Sequence, residues 1–327
     1  MKKRIALVLS AIMLISFLPS VSYAAGNTIS SAADLLSFRD SVNSGNTYEG
    51  QVVTLTSQLD LSSIDWTAVG TEEHPFKGTF NGGGNTITGL NASGNGKYMG
   101  LFGYSEGDIK NLNIITSQDG VKQTYTEENL EKMRTYAGII AAYSTGNIEN
   151  CTADGYISSS NNYSFAVSGG ICGRNGGTIA NCENSARVTV NCSADAGVFY
   201  ADAYAGGICG INDGIITGSS SDNTDKGSSG IAATSRFASA AAGGIAGDNR
   251  GTISQGTSAG SVRATTLFGL YTFAYGYSGG ICGSNTGAVN NSSSQCTVWG
   301  NHYAPEAKRE DYIYIGGICG YNKNEIT

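Results

Sequence analysis

The sequence predicts an all-β fold, a right-handed parallel β-helix (β-solenoid) of ~37-residue repeats with an N-terminal capping helix. Three observations predict it. The motif Gly169-Gly170-Ile171-Cys172-Gly173 recurs at Gly206, Gly243, Gly279 and Gly316, with looser copies near Gly100 and Gly138. Taking Gly100, Gly138, Gly170, Gly207, Gly244, Gly280 and Gly317 as markers, the gaps are 38, 32, 37, 37, 36 and 37 residues, the sign of stacked units. Between the glycines run short alternating segments with no helix-length apolar period, which read as strands broken by turns. One such coil leaves its backbone groups unpaired. Stacking coils at about 4.8 Å pairs each strand with its equivalents above and below. Parallel crossovers are right-handed, which sets the expected hand.

The chain in order supports this reading. Residues 1–24 read as a signal peptide: Lys2, Lys3 and Arg4, an apolar run from Ile5 to Leu18, then Ser22-Tyr23-Ala24 as the cleavage signal. Residues 25–48 hold the expected cap, with Ser30 or Ser31 as N-cap and Ala33, Leu35, Leu36, Phe38 and Val42 near one face. Residues 49–327 form the repeat region. Its first strands are Gly50–Leu55 and Leu59–Leu61, followed by glycine-punctuated segments from Trp66 to Leu90. Thr124 and Glu127 have capping-box spacing and predict a short helix over 123–134. Residues 299–311 read as a polar loop. The sequence stops at Ile326-Thr327 within a repeat, so the expectation is a chain that continues into further repeats or domains.

Composition narrows the partners. Glycine supplies 47 of 327 residues, well above the usual share of about 7%, in register with Ile, Val and Cys rather than scattered as in a disordered chain. Removing residues 1–24 takes away three of 19 basic residues and no acidic ones, leaving 16 against 26, a net charge of −10. That excludes nucleic acid, which requires clustered Lys and Arg. No later stretch is long and apolar enough to span a membrane, so none remains after signal cleavage.

Three sets of residues recur, and a fourth, acidic set does not. Cys172, Cys209, Cys282 and Cys319 share one repeat position, filled elsewhere by Phe102, Ile140 and Ala246; Cys151 and Cys182 share another with Leu112, Ser219, Gly256 and Ser292. Exchange with hydrophobes assigns them a structural role as buried thiols. Parallel side chains on stacked coils are poorly placed for disulfides, and no Cys-x-x-Cys pair suggests a metal. Asn175, Asn212, Asn249, Asn285 and Asn322 follow the motif and read as a structural amide ladder at a turn. Before each Gly-Gly pair lies an aromatic segment: Tyr163 and Phe165; Tyr200 and Tyr204; Phe237; Phe273, Tyr275 and Tyr277; Tyr312 and Tyr314. Strand parity places these on one face, read as the outer one, where they either bind sugar rings or a protein partner or stack across coils. Parity from Cys172 inward puts Ile171 outward unless the Gly-Gly pair bulges. Finally, the acidic groups Glu127, Glu128, Glu131, Glu310 and Asp311 sit in the two insertions and read as solvated charge, so no catalytic residue is assigned.

Gly100-Leu101-Phe102-Gly103 and the Gly-Gly-Ile-Cys-Gly copies resemble the GLUG motif of bacterial surface proteins, and Trp66–Leu90 resembles the leader of such arrays. The family occurs in adhesin-like proteins and beside the peptidase domain of some immunoglobulin-A-cleaving enzymes. The zinc-peptidase pattern His-Glu-x-x-His is absent; His74 and His302 stand in unrelated contexts. The resemblance therefore implies a secreted or cell-surface β-helix, expected to be a rigid module for adhesion and for glycan or host-protein interaction. No cofactor, metal or enzymatic activity is expected. The alternative is an accessory region of a larger extracellular enzyme, peptidase or polysaccharide-active, whose catalytic part is not in this chain. A third reading is a polysaccharide lyase in its own right.

Overall fold

A computed structural model describes residues 27–125, 134–161, 163–192, 201–236, 238–267, 274–303, 312–324 and 326–327. The segment 1–24 read as a signal peptide, Tyr200, Phe237, Phe273 and the acidic residues of both insertions lie outside the described residues. Each turn of chain crosses four sheets in sequence, and every strand pairing among the described residues is parallel. Face one holds the strands before the Gly-Gly corner, such as Ala166–Gly169, and face two those after it, such as Cys172–Asn175. Face three follows, as in Thr178–Ala180, and face four closes the coil with Glu183–Asn184 and Arg187–Cys192. Among the described residues the four sheets contain seven, seven, nine and eleven strands. This is the parallel β-helix, with one N-terminal helix.

Register follows from the interior. The column Phe80, Ile109, Ile148, Ile179, Ile216, Ile253 and Val289 runs up face three, each residue at most 1% exposed. A slip of one residue would turn the whole column to solvent. At the corners Asn111, Asn150, Asn181, Gln255 and Asn291 adopt positive φ of 48–55°, a backbone region that Asn tolerates better than most residues.

The helix α1 (Ala32–Asn43) closes the N-terminal end. Ser31 accepts the Asp34 N–H at 3.2 Å while the Asp34 carboxylate accepts the Ser31 N–H at 3.0 Å, a reciprocal cap with Asp in the third position. Its buried residues Leu35, Phe38 and Val42 face the first coils. Phe38 packs against Phe76, Phe80 and Tyr48 with centroids 5.1–5.7 Å apart.

The structure corrects three expectations. Ala141, not Ile140, shares the position of Cys172, because this coil carries Ile139 where the next coil has its second glycine, Gly170. The predicted helix over 123–134 does not begin where expected: Gln123–Tyr125 end the strand Asn113–Tyr125. That strand pairs with Tyr156–Asn161, and buried Gln123 donates from Nε2 to Gly96 O at 2.7 Å. Likewise Trp299–Tyr303 extend a strand rather than open a loop, in register with Arg263–Leu267, and Arg263 lies 5.0 Å over the Trp299 ring.

Candidate binding groove

The site begins at the repeated glycines. Ile171 and Cys172 are both buried, because Gly170 and Ile171 form the corner between two faces and strand parity does not run through it. Beyond the corner the pairing skips Gly173: Cys172 and Asn175 are buried, while Arg174 between them is partly exposed and bonds to Asp213. A Cβ on Gly210, the same position one coil on, would lie 2.8 Å from both Gly173 O and Ser168 N. Glycine therefore lets faces one and two meet backbone to backbone in a re-entrant corner. Outside that corner runs a shallow groove along the rod, filled over its middle by Tyr136, Val167 and Ile211, each at most 5% exposed.

Both walls of the groove are ladders. Tyr98, Tyr136, Val167, Tyr204, Ala241, Tyr277 and Tyr314 form the face-one wall. Tyr104, Tyr143, Arg174, Ile211, Asp248, Ser284 and Tyr321 form the face-two wall. Rings meet across it: Tyr98 and Tyr104 at 5.5 Å, Tyr136 and Tyr143 at 5.9 Å, Tyr277 and Tyr321 at 5.2 Å. Between these aromatic ends lies an ionic centre. Arg174 bonds Asp213 at 2.6 Å, Arg250 bonds Asp248 at 2.7 Å, and Arg250 and Asp213 approach to 3.7 Å. Asp202 accepts the Ser239 N–H at 2.8 Å and the Tyr204 hydroxyl at 3.2 Å. Burial pushes its carboxyl up despite those donors. Burial also pushes the phenols of Tyr98 and Tyr277 up to about 12, so both are neutral donors at physiological pH.

Ring geometry decides what the tyrosines offer. Rungs stand about 4.8 Å apart, less than the width of a phenol ring, so neighbouring rings cannot lie flat side by side. They overlap as tilted shingles: Tyr104 on Tyr143 at 4.7 Å and 21°, Tyr98 on Tyr136 at 5.6 Å and 12°, Tyr277 on Tyr314 at 5.6 Å and 25°. Much of each ring face is covered by its neighbour. The hydroxyls of Tyr98 and Tyr204 donate to Glu72 at 3.3 Å and Asp202 at 3.2 Å, Tyr136 is buried, and Tyr314 keeps part of its ring exposed.

A crystal structure described as that of a "putative immunoglobulin A1 protease" from Bacteroides ovatus shares this fold. It aligns with a TM-score of 0.54 at 18% identity, covering 89% of this chain and 84% of that one. No family model matches the chain. No curated protein matches it either.

The residues singled out in the sequence are distributed as follows. Tyr275, Tyr277, Tyr312 and Tyr314 form a grid, with Tyr275 and Tyr312 5.8 Å apart. The first pair is half-buried and the second 38–39% exposed. Phe165 and Tyr204 lie parallel at 6.5 Å. Tyr163 stands apart in a turn where its N–H donates to Asn161. Buried Cys151, Cys172, Cys182, Cys192 and Cys209 point their thiols at backbone carbonyls, as Cys209 does to Ile211 O at 3.0 Å, and all eight cysteines are free; buried Cys282 instead brings its sulfur to 3.0 Å from that of Cys319. The asparagines Asn175, Asn212, Asn249, Asn285 and Asn322 form an unbroken chain of Nδ2–Oδ1 hydrogen bonds of 2.7–2.8 Å. Sequence reasoning missed the second wall. Its signal was the variable residue of Cys-Gly-x-Asn, which reads Tyr104, Tyr143, Arg174 and Tyr321 in register. Among the described residues no group of three or more His, Cys, Asp and Glu could hold a metal ion, and no helix is long and apolar enough to cross a membrane.

Proposed function

We propose that this chain is a secreted or cell-surface rod without catalysis of its own, and that its tyrosine-walled groove contacts an extracellular partner. The observation that carries the reading is the pairing of two tyrosine ladders across one re-entrant corner, over Tyr98–Tyr143 and again over Tyr275–Tyr321. Burying tyrosine edges supplies apolar contact, and neutral hydroxyls supply directed hydrogen bonds. Shingled rings favour a host or cell-surface protein over a stacked sugar, since stacking needs an open ring face. The test compares the mature protein with a Tyr277→Ala/Tyr314→Ala variant on arrays of glycans and immobilised extracellular proteins. Binding lost by a variant with an unchanged circular dichroism spectrum supports the groove. Equal binding by both overturns it.

A second reading has one observation in its favour: the solved structure that shares the fold over most of this chain is described as a putative protease. On that reading the β-helix is an accessory region of a larger extracellular enzyme. Sequencing the coding region beyond Thr327 tests it, a peptidase or polysaccharide-active domain supporting it and a surface anchor or more repeats opposing it.

A further inference from the structure

Face four has a concavity of its own, away from the tyrosine groove. Its outer side carries one column of Thr86, Asn113, Thr152, Glu183 and Ser220, and beside it Ile115 pairs with Asp154. Together with Asp222 these residues line a cleft of about 330 Å³. A short 3-10 segment, Thr224–Ser229, arches over the coils at this edge. From it Lys226 reaches back to Asp154, 72 residues earlier, at 3.0 Å.

The lining defines a ligand. Ile115 is 44% exposed, an apolar platform amid hydroxyl, amide and carboxylate groups. No aromatic ring lines the cleft. Two carboxylates are already engaged: Asp154 by Lys226, and Asp222 by the Thr224 N–H at 3.1 Å. That separates the acids, which suits polar recognition rather than cation chelation. A cleft this size is at the small end of ligand sites and holds one or two pyranose rings, not an element of a folded partner. The coil pitch of about 4.8 Å is close to the length of one pyranose unit, so successive rungs can meet successive sugars.

We propose that this cleft is a saccharide subsite for one or two neutral or amino-sugar residues, with Glu183 accepting from sugar hydroxyls and Ile115 packing against the apolar face of the ring. The proposal goes beyond the tyrosine-groove reading and does not depend on it. Asp154, Glu183 and Asp222 outnumber Lys226, and the mature chain has a net charge of −10 (16 against 26), so uronic and sulfated sugars are repelled.

The experiment is an NMR titration of the whole mature protein with cellobiose, chitobiose and galacturonic acid disaccharide, and separately with calcium chloride. Cellobiose or chitobiose is expected to shift the Ile115 methyl and the backbone amides of Thr152 and Glu183 with a millimolar Kd, and the uronic disaccharide to leave them unmoved. Glu183→Gln should weaken that Kd and Ile115→Asp should abolish the shifts, each about tenfold or more, while Tyr277→Ala changes neither. If Ile115→Asp fails to fold, Glu183→Gln alone carries the comparison, as it alters only an exposed carboxylate. No shift with either neutral sugar, a shift that survives Glu183→Gln and Ile115→Asp unaltered, or shifts with calcium alone would each overturn the proposal. Failure of the tyrosine groove would be seen only in the Tyr277 and Tyr314 variant.

Discussion

Around Phe38 the rod is filled by rings. Phe76, Phe80 and Phe102 are wholly buried, and their centroids stand 5.3–5.7 Å from one another or from Phe38, apart from one 6.5 Å contact. Further along, the position of Phe102 is taken in succession by Ala141, Cys172, Cys209, Ala246, Cys282 and Cys319. The interior there is methyls, thiols, isoleucines and amides. One end must cover its own strand edges and does so with bulk and a helix. The middle coils gain cover from their neighbours, so small side chains suffice, and repetition of hydrogen bonds holds the register. The contrast does not extend to the outside. The outer corner is common to both regions: Tyr98 and Tyr104 meet across it on the coil that carries Phe102, and Tyr277 and Tyr321 meet across it where cysteine fills the interior.

The plug should carry the largest single-residue effect. Phe80→Ala removes a ring that touches both Phe38 and Phe102 and leaves a cavity that α1 cannot fill. It should cost about 3–5 kcal/mol, read by chemical denaturation. Cys209→Ala should cost less than about 1.5 kcal/mol, since Ala246 occupies the next rung naturally. Equal costs would mean that bulk matters no more at the end than in the middle.

Next comes the amide ladder. Asn212→Ala leaves the buried Asn175 Nδ2 without its Oδ1 acceptor and the Asn249 Oδ1 without its Nδ2 donor. Asn175 Nδ2 keeps Gly177 O and Ile215 O as acceptors, so the stranded group is the Asn249 Oδ1, and the change should cost about 1–3 kcal/mol. Asn322→Ala, at an exposed rung, should cost under about 1 kcal/mol because water replaces the missing partner. A uniform cost along the ladder would show that each amide acts only within its own turn.

The same contrast explains what was legible in the sequence. The regular coils repeat themselves, so the period, the cysteine column and the asparagine column could be read by aligning copies. The alignment slipped at Ile140 because Gly138-Ile139-Ile140-Ala141 lacks the second glycine that served as marker. The groove was half legible. The face-one tyrosines alternate plainly with alanine and serine. The face-two wall depends on the skip at Gly173, which reverses the expected parity of Arg174 and Tyr143, and no local pattern announces a backbone irregularity of that kind. The saccharide cleft was not legible at all: Asn113, Thr152 and Glu183 meet only through stacking.

Glycine against side chain gives a third measurement. Gly210→Ala forces a methyl to within 2.8 Å of two backbone atoms of the neighbouring coil and face. It should cost about 1–3 kcal/mol by overpacking. Outside the corner, Tyr277→Ala removes a half-buried ring that stacks on Tyr314 and should cost about 0.5–1.5 kcal/mol beyond the lost burial. A tyrosine cost well above the glycine cost would make the shingled rings, rather than the close corner, the main support of the groove.

The smallest effect concerns pH, at the ionic centre between the two aromatic ends. Burial raises the Asp202 carboxyl above its unfolded value, so over the window between the two the folded state holds more protons. This group then contributes full stability below its unfolded pKa, loses it as pH rises through the folded one, and changes nothing above. Asp34 in the helix cap behaves oppositely. Backbone and hydroxyl donors from Ser30 and Ser31 lower its pKa, so its contribution is present above the unfolded value and lost as pH falls. Asp202→Asn keeps an acceptor for the Ser239 N–H, turns an amide donor toward the Tyr204 oxygen, and carries no charge to bury. The variant should match the wild type in mildly acidic solution and exceed it slightly at neutral pH, measured as melting temperature against pH. Lower stability at neutral pH would show that the Asp202 charge is used by Arg250 or Arg174 across the groove, and that the ionic centre acts as one network rather than as separate pairs.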